Sequence, residues 1–403
     1  MREYTFHCEV VTPLFMGGSD PKKLELRSQS FNGLFRYWFR VGGGSLEDEK
    51  RIFGFGGNNA RKGLVQIIVR QLPPINIWHK DIMKDTELVK GMYYLNNFLQ
   101  RTERECAFIT GQQFKLIFRF SPLATEDDIK KFFCSVWLAI NLGNFGARAR
   151  RGFGSIKVNS IDGTDELYSF LQFKPQSSLE IWLPDNLKVI KNTLFAEERK
   201  SIPCLFNNSV EIYYLKKEDL ENSYNKWFSE IRKNRKSNKY VPNLETSDLN
   251  LNNPFKVLSF MGCLLMAFRN YYLPDYANLI SAVNNPSEAV KKGIVIERAL
   301  FGLPLIFIIG KKTYNVSAYI STKETKKLER RASPLWFKVL LNSSLNSIES
   351  LFIVMKSEFL PKNMIINLKI QNSEIKCSTN KWNALDTFIA TLKKYEIIEK
   401  INF

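Results

Sequence analysis

Along residues 4–10 apolar and polar positions alternate, with Tyr4, Phe6, Cys8 and Val10 on one face, and this period of two predicts a β-strand that Thr12-Pro13 ends. The period then changes. Phe31, Leu34, Phe35, Trp38 and Phe39 recur at helical spacing behind Ser30, a candidate N-cap, and Gly42-Gly43-Gly44 stops the helix. Strands follow at 64–71 and 113–120, separated by an insertion with a helix over 88–99. A second amphipathic helix covers 125–142, with Ile129, Phe132, Phe133, Val136, Trp137 and Ile140 on one side, and 155–161 is the last strand. The order βαββαβ describes an α+β, ferredoxin-like (RRM-type) unit, an antiparallel sheet with both helices on one face.

The remainder predicts strands at 180–183, 210–215, 304–309, 335–341, 351–355 and 365–370, helices at 218–231, 254–271 and 381–394, and a short final strand. It fits a second βαββαβ unit with helical and basic insertions. Two ferredoxin-like domains are therefore expected, 1–165 and 166–403, and the polar, Asn- and Lys-rich stretch 232–253 reads as a loop or lid.

Charge narrows the partner. With 58 Lys and Arg against 40 Asp and Glu, the 403-residue chain carries a net charge of +18. Hydrophobic residues at 44% and aromatic residues at 13%, including 31 Phe, exclude a disordered polyelectrolyte. A folded chain this basic points to a polyanion. A membrane partner is disfavoured, because the longest apolar run, 257–268, is broken by Ser259 and Gly262 and falls short of the roughly 20 residues a span needs. With no secretory leader in the N-terminal pattern, a cytoplasmic location is expected. Six separated cysteines without a CxxC, and only His7 and His79, argue against a metal centre, and no cofactor is expected.

Two constellations carry the candidate chemistry. The segment 143–155 holds Gly143, Gly146, Gly152 and Gly154, where composition would put roughly 0.7 glycine in such a window. Its glycines can bring backbone N–H groups to a phosphate, Arg148, Arg150 and Arg151 supply forked cations, and Phe145 and Phe153 are candidates to stack on bases. The plainer alternative is a turn with solvated arginines. In the first helix, Gly33, Arg36, Tyr37 and Arg40 form a stripe opposite the apolar face, against which stands a simple solvated helix face. Arg330-Arg331 is a further basic patch, with a solvated charge run as its alternative. Asp20 before Pro21 suits an Asx-turn, and His7, beside Glu9 and Glu3 on a strand face, suits a structural role.

Thr12-Pro13-Leu14-Phe15-Met16-Gly17-Gly18-Ser19-Asp20-Pro21, the helix 27–40 and the loop 143–155 together resemble the RAMP superfamily of CRISPR proteins. The phrases Thr-Pro-Leu-Phe-Met-Gly-Gly and Gly-Leu-Phe-Arg-Tyr-Trp-Phe-Arg resemble most nearly the first subunits of type III-B (Cmr) RNA-guided effector complexes. Ile52-Phe53-Gly54, Ala299-Leu300-Phe301-Gly302-Leu303-Pro304 and Arg330-Arg331-Ala332-Ser333-Pro334-Leu335 carry the resemblance into both halves. The resemblance implies two fused ferredoxin-like domains, a place at the 3′ side of the guide RNA, contact with guide (CRISPR) RNA, target RNA and other Cmr subunits, and no nuclease activity. By position it implies RNA contact at Arg27, Arg36, Arg40, Arg148, Arg150 and Arg151, with Arg330 and Arg331 added. Gly33, Tyr37, Gly146, Gly152 and Phe153 complete the candidate surface. Two other readings stand beside it: a metal-independent repeat-RNA endonuclease using His7 or a tyrosine as base, and a scaffold whose basic loop meets an acidic protein.

Overall fold

The N-terminal alternation becomes strand β1 (Glu3–Val10), the centre of a four-stranded sheet. The structure, a computed structural model, describes residues 2–403 apart from 21, 58–59, 76, 80–88, 97–105, 200, 237–240, 242, 321–326, 361–363 and 371–372. Strand β1 pairs antiparallel with β3 (Gln113–Phe120) on one side and with β4 (Ile156–Gly163) on the other, and β2 (Val65–Gln71) extends the sheet beyond β3. Helices α1 (Ser28–Val41) and α3 (Glu126–Asn141) cover one face, and α2 (Leu46–Phe53), which the periodicity did not reveal, follows α1. The phenylalanine excess is consumed here. Phe6, Phe118, Phe132 and Phe133 are fully buried in edge-to-face and stacked pairs, Phe118 and Phe132 with centroids 5.1 Å apart, each such pair adding roughly 0.5–1.5 kcal/mol beyond area burial.

A second sheet repeats this arrangement. Strand β5 (Val210–Leu215) lies between β7 (Ser347–Met355) and β8 (Ile398–Ile401), and β6 (Leu335–Asn342) extends it beyond β7. In order along the chain, both sheets therefore run second, third, first, fourth strand. Helices α5 (Leu220–Lys233), α6 (Pro254–Ala267) and α7 (Asn383–Lys394) accompany the second sheet. A third sheet, ordered Ile294–Val295, Ser373–Ser378, Met364–Ile370, Lys312–Ile320 and Leu305–Ile309, has its own apolar core. Its strands leave the chain between α6 and α7, so it is inserted into the second unit. Among the described residues no helix is long and apolar enough to cross a membrane. The apolar run 257–268 is instead the buried body of α6.

Three local expectations are corrected. Residues 180–183 are not a strand but the start of helix α4 (Leu179–Leu194), whose buried Leu179, Trp182, Leu183, Leu187, Ile190 and Leu194 keep helical spacing. The run ends at Pro184, which mimics a strand boundary, yet the helix absorbs it because tertiary packing holds the turn. Trp182 lies 5.1 Å from Trp137 of α3, and both indole N–H groups donate to the Gln172 carbonyl, at 3.1 and 2.9 Å. Ser30 is not the cap of α1; the cap position is Arg27, whose backbone N–H meets the Met16 sulfur at 3.4 Å, so tertiary contact starts the helix earlier. Helix 254–271 is α-helical only to Ala267 and continues as a π-helical turn, Phe268–Tyr272. The helix expected at 88–99 is Val89–Asn96 where described; its remaining residues, part of 232–253 and the side chain of His79 lie outside the described residues.

The two main cores interlock. The core under the first sheet includes Trp336, Leu340 and Ile353 from the second unit, and the core under the second includes Val11, Phe15 and Phe153 from the first. Trp336, 3% exposed, is the densest joint: Tyr37 stacks on it at 5.8 Å, Trp38 meets it edge-on at 5.6 Å, and the Arg150 guanidinium lies 4.7 Å from its ring. Trp336→Ala empties this joint and is expected to destabilise the chain by about 3–5 kcal/mol in urea unfolding, a cost to be compared with that of an exposed control such as Leu123→Ala.

Candidate nucleic-acid interface

The glycine-rich loop, residues 143–155, connects α3 to β4, and the segment after β1 sets its shape. Ala147 N–H donates to the Phe15 carbonyl at 2.8 Å, Gly154 N–H to Pro13 at 3.0 Å, and Phe145 N–H to Gly154 at 2.8 Å. The Thr12 hydroxyl donates to the Gly152 carbonyl at 2.7 Å and accepts Ser155 N–H at 2.8 Å. The Gly154 amide, one of the glycine N–H groups expected to be offered to phosphate, is thus engaged within the protein, as are those of Phe145 and Ala147. Close approach explains the glycines, since a Cβ on Gly146, at φ 81°, would strike the Phe15 carbonyl, and one on Gly152, at φ 85°, would strike Leu258.

Strand β6 grips the same loop from the second unit. Asn144 donates to the carbonyls of Phe337 and Ala149 at 2.8 and 2.6 Å and accepts the Ser155 hydroxyl at 2.5 Å. Lys338, fully buried, donates to the Gly143 carbonyl at 2.8 Å, and burial pushes its amine well below the ordinary lysine range.

The predicted residues separate into groups. Phe153 and Phe145 do not offer rings to bases: they are 0% and 1% exposed, Phe153 against Phe15 and Phe145 against Phe31, because the loop needs apolar anchors to hold its turn. Nor do Arg36, Tyr37 and Arg40 form a solvated stripe. Tyr37 packs on Trp336, while Arg36 and Arg40 close on the fully buried Glu49 of α2, each with a shortest N···O distance of 2.5 Å, and Arg199 joins them at 2.7 Å. Burial opposes ionisation of Glu49, but hydrogen bonds from Arg40, Arg36 and Arg199 outweigh it and bring its pKa down to about 2. Three guanidiniums on one carboxylate still leave this cluster positive.

Arg148, Arg150 and Arg151 are half-buried rather than solvated. Arg150 donates to the Ser333 carbonyl at 2.7 Å and Arg151 to that of Phe301 at 2.8 Å. Burial lowers the pKa of Arg148 and of Arg151, and for both Arg269 is the next cause. Arg331 donates to the carbonyl oxygens of Phe359 and Ala332 and lies 4.8 Å over the Phe359 ring, whereas Arg330 is exposed. Arg269 and Arg298 are further cations that sequence reasoning missed; each is more than 100 residues from the loop, and folding brings Arg269 to Arg148 and Arg151 and Arg298 to Arg269. Asp20 accepts Lys22 N–H at 2.9 Å, the Asx-type turn expected there, and His7 Nε2 lies 2.7 Å from Asp162 on the sheet's far face from Phe6 and Cys8.

Between loop and helix lies a cavity of about 470 Å³, lined by Phe15, Met16, Gly17, Gly18, Arg27, Ser30, Gly33, Leu34 and residues 144–147 and 149. A Cβ on Gly33 would meet nothing within 4 Å, so this helix turn is open to a ligand backbone. A larger cavity of about 820 Å³ lies elsewhere, but its lysines, Lys157 and Lys217, are paired with Glu9 and Glu349 at 3.2 Å, leaving little charge for a polyanion.

A β-sheet with two helices on one face and a glycine-rich loop pinned between its last helix and strand defines a RAMP-type CRISPR protein, and residues 7–157 match the family model described as RAMP superfamily. The CRISPR system Cmr subunit Cmr1-2 of Pyrococcus furiosus is 31% identical over 183 residues, covering 40% of this chain and 97% of that protein. The crystal structure of Cmr1 from Pyrococcus furiosus in its apo form has a TM-score of 0.53 at 19% identity, covering 100% of this chain and 99% of that one. A chain of a type III-B Cmr-beta complex, solved by cryo-EM with cognate target RNA and AMPPnP, has a TM-score of 0.52 at 14% identity over 98% of this chain and 99% of that one. At those identities the two structures establish a shared fold. The chain belongs to the Cmr1 subunits of the RAMP superfamily.

The Glu49 cluster is directly testable. Glu49→Gln leaves three guanidiniums around a neutral amide and is expected to cost about 3 kcal/mol in urea unfolding at pH 7. Because the folded pKa lies below the ordinary 4.5, the contribution of Glu49 is complete above that value and fades as pH falls toward about 2. Acid titration of stability over that window should therefore be shallower in Glu49→Gln than in the parent chain.

Proposed function

We propose that the chain is a non-catalytic RNA-binding subunit of a type III-B (Cmr) effector complex, acting in the cytoplasm and contacting the 3′ side of the guide RNA and the target RNA paired there. The observation that carries this reading is the cavity between the loop and α1, where Arg27, Ser30 and the bare backbone of Gly33 face the loop at 144–147. Its shape suits a sugar–phosphate chain, which is recognised by close backbone approach and charge rather than by base edges. The half-buried Arg148, Arg150 and Arg151, with Arg331 beside Arg150, supply a concentrated positive field, while Arg36 and Arg40 add net charge with their forks turned to Glu49.

Two ferredoxin-like units, divided near residue 165, are supported by the strand order that recurs in the first and second sheets. A place among Cmr subunits is supported by the relatives, which are named as such, and RNA contact by the cryo-EM assembly with its cognate target RNA. For the endonuclease reading, His7 or a tyrosine would need to serve as base; His7 lies on a sheet face with Nε2 against Asp162.

Gly33→Leu separates RNA binding from folding. The new side chain enters open space and improves helix propensity by roughly 0.8 kcal/mol, so the melting temperature should hold or rise. Affinity for single-stranded RNA, read by fluorescence anisotropy, should fall by about tenfold or more because the cavity is filled. Undiminished affinity in a folded Gly33→Leu chain would refute the cavity as the RNA path.

A further inference from the structure

At the glycine-rich loop, cations from three elements come together. Arg148 and Arg151 come from the loop, Arg269 from the turn Phe268–Tyr272, and Arg298 from the short helix Glu297–Phe301. Tyr94 of helix Val89–Asn96 closes the group. Phe301 ties the loop to the turn: its carbonyl accepts Arg151 Nη2 at 2.8 Å, and its ring lies 5.8 Å from the Arg269 guanidinium, which is also 5.6 Å from the Tyr94 ring. Arg298 stands behind, 6% exposed, donating to the Arg269 carbonyl at 2.6 Å and to Asn270 Oδ1 at 2.8 Å, with Tyr276 and Phe307 rings 4.6 and 5.5 Å away.

These anchors use only part of each fork. Arg151 Nη1, Arg269 Nε, Arg298 Nε and Tyr94 Oη are buried donors with no hydrogen-bond partner among the described residues. Leaving such atoms unpaired is costly, more so where charge is involved. Among the described residues the carboxylates beside the cluster are Asp275, whose Oδ1 is taken by the Arg298 backbone N–H at 2.8 Å and whose acidity burial weakens, and Glu297, which accepts from Asn380 Nδ2 at 2.6 Å. Among the described residues the guanidiniums still outnumber these two carboxylates, so the cluster is short of negative charge. Planar forks with free N–H edges match a tetrahedral oxyanion.

We propose that Arg151, Arg269 and Arg298, with Tyr94, form a phosphate site, separate from the cavity at Gly33, that takes the oxyanion of a nucleic-acid phosphate. The site deepens the RNA-binding reading and rests on it for the source of the phosphate. An internal phosphodiester and a terminal phosphomonoester offer the same oxygens, the latter with charge nearer −2.

The test uses the purified full chain, Arg269→Gln and Arg298→Gln, with inorganic phosphate and short single-stranded RNAs ended by hydroxyls, by a 5′-phosphate or by a 3′-phosphate. Arg269 is half-buried and its change should leave the fold intact, which guards against misfolding of the more buried Arg298→Gln. Inorganic phosphate should raise the melting temperature of the parent chain and not that of Arg269→Gln. RNA affinity should fall about tenfold in Arg269→Gln, with the salt slope reduced by about one. If the source is a terminal phosphate, phosphate-ended RNA binds the parent chain more tightly than hydroxyl-ended RNA and the difference disappears in Arg269→Gln. If it is internal, all three RNAs bind alike and weaken together. Parent-like RNA affinity and salt slope in a folded Arg269→Gln, with no thermal response of the parent chain to phosphate, overturn the site. A parent chain that binds no RNA, yet responds to phosphate through Arg269, keeps the site and refutes the RNA reading instead.

Discussion

A lysine with no exposed surface holds the two halves of the molecule in register. Lys338 projects from β6 to the Gly143 carbonyl, just past the C-terminal end of α3, where the helix presents unsatisfied carbonyls and partial negative charge. Burying an amine is costly unless it is hydrogen-bonded, so the contact is strongly specified once made. Asn144 repeats the connection one residue on, bridging its own loop to the Phe337 carbonyl, and the Ser155 hydroxyl closes the network by donating to Asn144 while lying 3.4 Å from Val339 N–H. The loop therefore has one position relative to the second sheet. Both the cavity at Gly33 and the cluster around Arg151 inherit their geometry from that position.

The same docking explains how the chain manages its charge. Arg36, Arg40 and Arg199 are gathered on Glu49, a strong local arrangement that fixes α1 against α2 and leaves those forks little reach. Arg150 and Arg331 spread over the Trp336 and Phe359 rings and donate to carbonyls, so they are held flat without being neutralised. A guanidinium restrained in this way pays less entropy when it meets a phosphate than a solvated lysine would. The net excess of +18 is thus partly immobilised where the two units meet.

What was legible in the chain follows from burial. Strand β1 and helix α1 each bury one face, and their periods of two and 3.6 predict them well, while α3 is buried on all sides from Phe132 to Asn141 and shows its period only beside its polar first turns. Helix α4 was misread because its first apolar residues are few and stop at a proline, while the cause of its helicity, Trp182 against Trp137, is 45 residues away in sequence. Gly33, Arg27 and the loop arginines were legible as unusual local composition. Closure of Arg36 and Arg40 on Glu49 was not, since Glu49 resembles any charged residue of a short amphipathic helix. Arg269 and Arg298 carried no local signal at all, because only the inserted third sheet and α6 bring them to the loop.

Glycine itself takes on two meanings here. At 146 and 152 the missing Cβ serves the protein, letting the loop pass the Phe15 carbonyl and the Leu258 side chain, and the neighbouring phenylalanines sink into the cores. At 33 the missing Cβ faces empty space on a helix, where glycine costs about 1 kcal/mol relative to alanine and no packing in the chain repays it. A residue that weakens its helix without serving the fold is best explained by something that approaches from outside. On the proposed reading the glycine-rich loop is the rigid wall of the site, and the helix supplies the surface against which a sugar–phosphate chain would lie.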